Sequence, residues 1–216
     1  CLIAPGGIPA HHVACWDVAT GTWSALGTGT NDYVWGLALV GRDLFVVGKF
    51  TLAGGTVANR VARWNRDEGA WHALGTGLNG EAYTVASTGD DVFVGGAFSE
   101  AGGVPASHIA RWRPSFSVWT SLGSGTNGVV ASLGVRQESI GVIQYHMVYA
   151  GGNFTQAGGA SASNVAVWNG FSGTWSPLGA GVDGRVRGIR LVDKRVYAGG
   201  VFDTAGGVPA SRIACW

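Results

Sequence analysis

The sequence predicts an all-β protein, a β-propeller of four-stranded antiparallel blades, with about four repeats of 48 residues that read as a segment of a larger propeller. Three observations predict it. Nine of the ten tryptophans fall into two columns: Trp16, Trp64, Trp112, Trp168 and Trp216, and, seven residues after the first four, Trp23, Trp71, Trp119 and Trp175. Successive members of the first column lie 48, 48, 56 and 48 residues apart. A period near 50 with short apolar runs belongs to propeller blades, whereas helical arrays repeat every ~33–47 residues. Glycine supplies 38 of 216 residues, and each glycine costs a helix interior about 1 kcal/mol against alanine. Finally, the short runs alternate: in Val61-Ala62-Arg63-Trp64, Ala and Trp face one way and Val and Arg the other.

The repeated phrase is clearest at His146–Leu178. It recurs as Asp43–Leu74, Asp91–Leu122 and Arg195–Trp216, and its second half opens the chain at Pro5–Leu26. Each whole copy offers four strands, in one case 81–88, 91–96, 108–113 and 118–122. The Ala–Trp face of the third strand recurs in all five copies, setting a large ring beside a small gap. Such a face suits sheets packed on one another, and a buried indole also needs a partner for its N–H.

In order along the chain, residues 1–27 hold the last two strands of a partial blade. Full blades follow at 33–75, 81–122 and 129–178, and 185–216 supplies three strands of a further partial blade. Seventeen strands do not divide into four-stranded blades, so further blades or other chains are expected to complete the assembly. The Gly-Gly loops, for example 95–107, are read as turns with positive φ at glycine. Asn79-Gly80, Asn127-Gly128 and Asp183-Gly184 carry tight-turn signals. The 56-residue interval holds eight extra residues near Arg136–Tyr145, between the first and second strands of its blade. Insertions in repeats map to one face, often the binding face. Arg136, Ile140, Val142, Ile143 and Tyr145 are therefore read as an interaction loop, unusually apolar for exposed chain; a merely lengthened hairpin is the plainer reading.

Composition narrows the function classes. Net charge is +1, which gives no pull toward nucleic acid or an anionic membrane. Charged residues are 12% of the chain, about half the usual ~25%. A surface clothed in Gly, Ser, Thr and Asn suits a secreted, glycosylated or assembled protein better than a crowded-cytosol monomer. No run of ~18 apolar residues offers a membrane span. Asn153-Phe154-Thr155 is an N-glycosylation sequon, so Asn153 is a candidate glycan site. Cys1, Cys15 and Cys215 lack metal-site spacing; they read as disulfide candidates or small core residues.

No catalytic constellation rises above the repeat. His12 and His108 share a column with Arg60, Asn164 and Arg212, read as a polar, solvated strand end. Asp17 and Asn65 follow the column Trp and are expected to cap hairpin turns. Asp90-Asp91 is a pair of carboxylates with nothing in sequence to shelter it, so acid–base work is not assigned. Tyr33, Tyr83, Tyr145, Tyr149 and Tyr197 come without paired histidines that could complete a copper site. No calcium-loop spacing, P-loop or nucleophile elbow occurs. Catalytic, cofactor and metal residues are therefore expected to be none.

The order hydrophobic strand, Gly-Gly, loop, strand ending in Trp-Asn/Asp, turn and Trp-x-x-Leu resembles the kelch repeat. The likeness rests on Gly95-Gly96, Gly151-Gly152, Gly199-Gly200 and the paired tryptophans, and it covers nearly the whole chain. Kelch repeats usually carry Tyr where this chain has Trp112 or Trp168. The variant Ala-Gly-Gly…Ala-x-Trp followed by Trp-x-x-Leu-Gly is also similar to repeats of microbial surface propellers of the fungal cortical cell-polarity marker type. The S-x-D-x-G-x-x-W box of sialidase propellers is absent; Asn65 to Trp71 is the nearest approach. Architecture, low charge, the sequon and the cysteines together lead to the expectation of a non-catalytic extracellular or cell-surface propeller, structural or adhesive, whose partners are other protein chains, further blades or glycans. Two alternatives stand beside it: part of a carbohydrate-active or oxidase propeller with its active residues elsewhere, and an intracellular kelch-type adaptor.

Overall fold

The structure, a computed structural model, describes Gly7 and residues 9–216. Among the described residues, five main antiparallel sheets follow one another along the chain, with a small two-stranded hairpin inserted in each of the last four. The first pairs β1 (Ala14–Asp17) with β2 (Thr22–Ala25). The second runs in order through β3 (Val34–Val40), β4 (Asp43–Gly48), β5 (Val61–Asn65) and β6 (Ala70–Ala73). The third repeats this with β7 (Ala82–Thr88), β8 (Asp91–Gly96), β9 (Ile109–Arg113) and β10 (Val118–Ser121). The fourth holds β11 (Val129–Ile140), β12 (Ile143–Asn153), β13 (Val165–Asn169) and β14 (Thr174–Pro177). The fifth has β15 (Arg185–Val192), β16 (Arg195–Val201) and β17 (Ile213–Cys215). Among the described residues there is no α-helix, and only Pro114–Phe116 makes a 3-10 turn.

The sheets stack face to face, and one apolar core fills each junction. Val13 and Leu26 of the first repeat meet Val46, Phe50 and Ala62 of the second. Phe45 and Val61 meet Val92, Val94 and Trp112. Phe93 and Ile109 meet Val130, Val148 and Ala166. Tyr149 and Val165 meet Val186, Ile189 and Phe202. The first strands β3, β7, β11 and β15 lie side by side in that order. Among the described residues no sheet holds strands from both β1–β2 and β15–β17: β1 pairs with β2, and β17 pairs with β16.

The tryptophan columns sit at these junctions. Within each of the first four repeats the two rings face each other across the third and fourth strands, as in Trp112–Trp119 at 5.3 Å. The second-column indole then donates to the Leu carbonyl of the preceding repeat, so Trp-x-x-Leu is a lock between sheets. Gly102 (φ 62°) faces Trp119 so closely that a β-carbon there would collide with the indole.

Several local expectations are corrected. The Gly-Gly loops contain strands of their own: Glu100–Ala101 pairs with Val104–Pro105 around Gly102-Gly103, and three other copies match it. The Asn-Gly pairs do not make tight turns. Instead Asn79 Oδ1 accepts the backbone N–H groups of Ser99 and Glu100, each at 2.9 Å, and pins the loop. Gly80 follows because a β-carbon there would collide with the Ala97 carbonyl. Asn31, Asn127 and Asp183 pin their loops in the same way.

The polar column is not a solvated strand end. His12, Arg60, His108, Asn164 and Arg212 all adopt left-handed backbone, with φ from 63° to 68°. Four of them donate to the carbonyl 18 residues ahead, in the next repeat: His12 to Thr30, Arg60 to Leu78, His108 to Thr126 and Asn164 to Val182, at 2.9–3.0 Å. The carbonyl carries no proton, so both histidines hold theirs on Nδ1. Asp17 and Asn65 cap their hairpin turns as expected, accepting two backbone N–H groups each.

Candidate functional site

The one long interval in the repeat builds a groove. The eight extra residues continue β11 and β12 as a paired ladder to Ile140↔Ile143, closed by Gly141-Val142. The segment read as an interaction loop is in form a lengthened hairpin, its backbone paired from Arg136↔Met147 to Ile140↔Ile143. Its inner wall supplies Gln137, Gln144 and His146 to a groove of about 300 Å³. The third sheet supplies Asp90, Asp91, Arg111, Arg113 and Phe116.

Asp91 opens β8 and is 9% exposed, whereas its neighbour Asp90 is exposed. The pair is therefore not two free carboxylates in one turn. Asp91 is ion-paired with Arg111 across the β8–β9 ladder, and His146 Nδ1 lies 3.4 Å from the same oxygen. The second sheet repeats the ion pair as Asp43–Arg63 at 3.3 Å. The fourth has Met147 and Val167 at those positions, so the pair ends where the long hairpin begins. The 20-residue Asp-to-Arg spacing, present twice, was the sequence signal for Asp91.

His146 packs edge-on against Phe93, with ring centroids 5.5 Å apart. Burial pushes its imidazole below the usual value; Asp91 acts the other way, and Arg111 and Arg113 add to the lowering. Arg111 lies 5.9 Å from the Phe93 ring centre, and Arg113 stacks over Phe116 at 5.1 Å. Arg111 Nε is buried with no hydrogen-bond partner among the described residues. Gln137 and Gln144 bond each other across the hairpin. The groove thus offers a stacked guanidinium, two amides and a neutral imidazole, which suit contact with carboxylate or backbone groups of a polypeptide. His146 and Asp91 face one another, but no hydroxyl or thiol nucleophile lies with them among the lining residues except Ser115.

The residues singled out in sequence divide into two groups. Ile140, Val142 and Ile143 form an apolar tip, 51%, 98% and 53% exposed. Tyr145 packs at 5.7 Å on the exposed Phe171, and the Arg136 guanidinium covers Tyr149 at 5.5 Å. Arg136 Nε is 2.7 Å from Glu138 Oε1, though out of line for a hydrogen bond. These two side chains brace the hairpin rather than present it. Asn153 is exposed at the end of β12, and the sequon's Thr155 hydroxyl accepts from Asn127 at 2.8 Å. Cys15 and Cys215 are exposed and free, so neither is a core residue; Cys1 lies outside the described residues.

No helix of the described chain is long and apolar enough to cross a membrane, and no group of three or more His, Cys, Asp or Glu side chains converges among the described residues.

No protein-family model matches the chain, and no curated protein matches it. Among solved structures it is similar to the computationally designed Ika4 protein, at 15% identity and a TM-score of 0.56, over 87% of this chain and 92% of that one. It is also similar to the computationally designed Ika8 protein, at 15% identity and a TM-score of 0.59. That match covers 93% of this chain and 51% of Ika8, so the chain spans about half of that protein. At these identities the likeness is one of fold, a succession of antiparallel sheets, and of nothing finer.

Proposed function

We propose that this chain is the repeat array of a kelch-like β-propeller, a non-catalytic structural or adhesive module at the cell surface or outside it. In this reading the lengthened hairpin and its groove engage a protein partner. One observation carries it: the repeat is broken once, and the break ends in three exposed aliphatic side chains, Ile140, Val142 and Ile143. An exposed apolar tip beside polar groove walls is the usual make-up of a protein contact. Low charge and the exposed Asn153 support the extracellular setting.

The test places a photo-crosslinking amino acid at position 142 in source cells. Cross-links to a cell-surface or matrix protein, lost in an Ile140→Asp/Ile143→Asp background whose Tm is unchanged, are expected. Cross-links confined to cytosolic proteins, with Asn153 unmodified by intact mass, would overturn the extracellular setting. A turnover activity that dies with His146→Gln would overturn the non-catalytic reading.

A further inference from the structure

We propose that the groove between the third and fourth sheets takes an acidic side chain, aspartate or glutamate, of an extended polypeptide, and that Arg113 holds its carboxylate. The inference rests on the reading of hairpin and groove as a protein contact and deepens it by naming the chemistry of the partner. It comes from the turn between β9 and β10, which matches its copies in length but not in kind.

In the other turns of this type, Asp17, Asn65 or Asn169 ends the third strand. Each side chain accepts two backbone N–H groups of its own turn. The turn then closes on Gly21, Gly69 or Gly173, with φ from 62° to 67°. The third sheet has Arg113 and Ser117 at these two positions. Arg113 makes no such cap, and Ser117 takes φ 49°, a left-handed backbone that costs serine more than glycine. The turn thus gives up two stabilising features that its copies keep. Departures from local preference collect at functional sites.

The turn gains a positioned cation. Pro114 keeps Arg113 in extended backbone, φ −111° and ψ 97°. Its guanidinium lies over Phe116 at 5.1 Å, and that ring is 71% exposed. Among the described residues the Arg113 guanidinium has no ion pair and no hydrogen bond. Arg111 differs, because its charge is met by Asp91. Stacking occupies one face of the Arg113 guanidinium and leaves its edge of N–H donors, a fork that matches the two oxygens of a carboxylate. The remaining acid of the groove, Asp90, is exposed and makes no ion pair among the described residues.

A second cavity of about 270 Å³ continues the groove past this residue, and Arg111, Arg113, Gln144 and His146 line both. Beyond them its lining turns apolar with Phe93, Leu122 and the half-buried Trp168. Space on both sides of Arg113 lets a chain run through the groove rather than end in it, so the carboxylate belongs to a side chain.

Capture of peptide pools on the immobilised whole chain tests this. Three acetylated pools have random, non-acidic flanks. One has Glu at its centre and an amidated end, one has Gln and an amidated end, and one has Gln and a free carboxyl end. Wild type should retain the Glu pool about tenfold above the amidated Gln pool, the difference between charged and neutral hydrogen bonds. Arg113→Asn/Ser117→Gly restores the pattern of Asn169 and Gly173 in the fourth sheet. That variant should lose the preference for Glu and melt at a higher temperature than wild type. No preference in wild type, or one that survives in the variant, overturns the proposal. A variant that melts lower would show that Arg113 serves the turn itself, and overturns it too. Retention of the free-carboxyl pool above the Glu pool would overturn it in favour of a chain terminus. If wild type shows no preference while position 142 still cross-links to a protein, this proposal falls alone and the hairpin reading stands. A preference for Glu without cross-links at position 142 supports the groove and removes the apolar tip from the contact.

Discussion

Trp119 Nε1 donates a hydrogen bond to the carbonyl oxygen of Leu74, 45 residues earlier and one sheet away, at 2.9 Å. Trp71 does the same to Leu26 at 2.8 Å and Trp175 to Leu122 at 2.7 Å. Each indole is almost fully buried, so the bond forms out of reach of water, where an unpaired N–H is costly. Packing and hydrogen bonding therefore fall on the same side chain. Trp119→Ala should cost about 3–5 kcal/mol, as large aromatic deletions in cores do. Trp119→Phe keeps most of the area but loses the indole bond, while the Leu74 carbonyl still accepts the Gly77 N–H at 3.1 Å, and it should cost about 1 kcal/mol. Urea unfolding checks both; a Trp119→Phe variant as stable as wild type would mean that the bond contributes nothing.

A second column holds the sheets together through backbone shape. His108 has φ 66° and bonds the Thr126 carbonyl at 2.9 Å. A branched side chain resists the left-handed region, and asparagine tolerates it while still offering an N–H. His108→Val should then lose about 2 kcal/mol through strain and the lost donor. His108→Asn should stay near wild type, because Asn164 already serves the same role in the next repeat. A valine variant as stable as the asparagine one would remove the argument.

The difference between those two columns shows what was legible in the sequence. The tryptophans keep one identity and one spacing, so the junctions could be read from Trp112 and Trp119 alone. The left-handed column changes identity from His to Arg to Asn. What it conserves is a donor and a backbone angle, and neither is written in residue names. Asn79-Gly80 misled for a related reason: Asn before Gly is shared by tight turns and by a side-chain acceptor with a close backbone behind it. Asp91 was hidden by its neighbour Asp90, since two adjacent carboxylates look alike although strand alternation sends one inward and the other out. The groove combines β8 and β9 with a hairpin about 50 residues later, a juxtaposition made only by sheet stacking.

The loop pins carry a pH signature. Asp183 Oδ1 accepts the N–H groups of Asp203 and Thr204, both at 2.9 Å. The Thr204 bond, then the Asp203 bond, hold its carboxyl below the usual value near 3.8, against a smaller opposing effect of burial. A depressed folded value means that the stabilisation is present above the unfolded value and disappears as pH falls through the folded one. Asp183→Asn keeps an acceptor but cannot titrate, matching Asn79 in the third sheet's copy. The difference in Tm between wild type and Asp183→Asn should therefore be flat at neutral pH and shift against wild type only under acid. A difference that opens around neutrality would assign the effect to another group.

The groove gives the last prediction, and its sign is opposite in origin. His146 is packed against Phe93 and hemmed by Arg111 and Arg113, while Asp91 alone favours its charged form. Desolvation is the largest influence, so the folded imidazole binds its proton less tightly than the unfolded one, whose usual value is 6.5. Between those two values the unfolded chain holds more protons, and stability rises with pH. This contribution is complete above the unfolded value and is lost as pH falls below it. His146→Gln removes the titration while leaving a polar side chain beside Asp91. Urea unfolding of wild type should weaken from pH 7 to pH 5 more than that of His146→Gln, with the other four histidines common to both. Nuclear magnetic resonance of the His146 ring should show its midpoint below that of an exposed histidine. A midpoint above it would mean that Asp91 prevails over burial. In that event Asp91 and His146 form a charged pair, and the groove presents a cation where a neutral ring is expected.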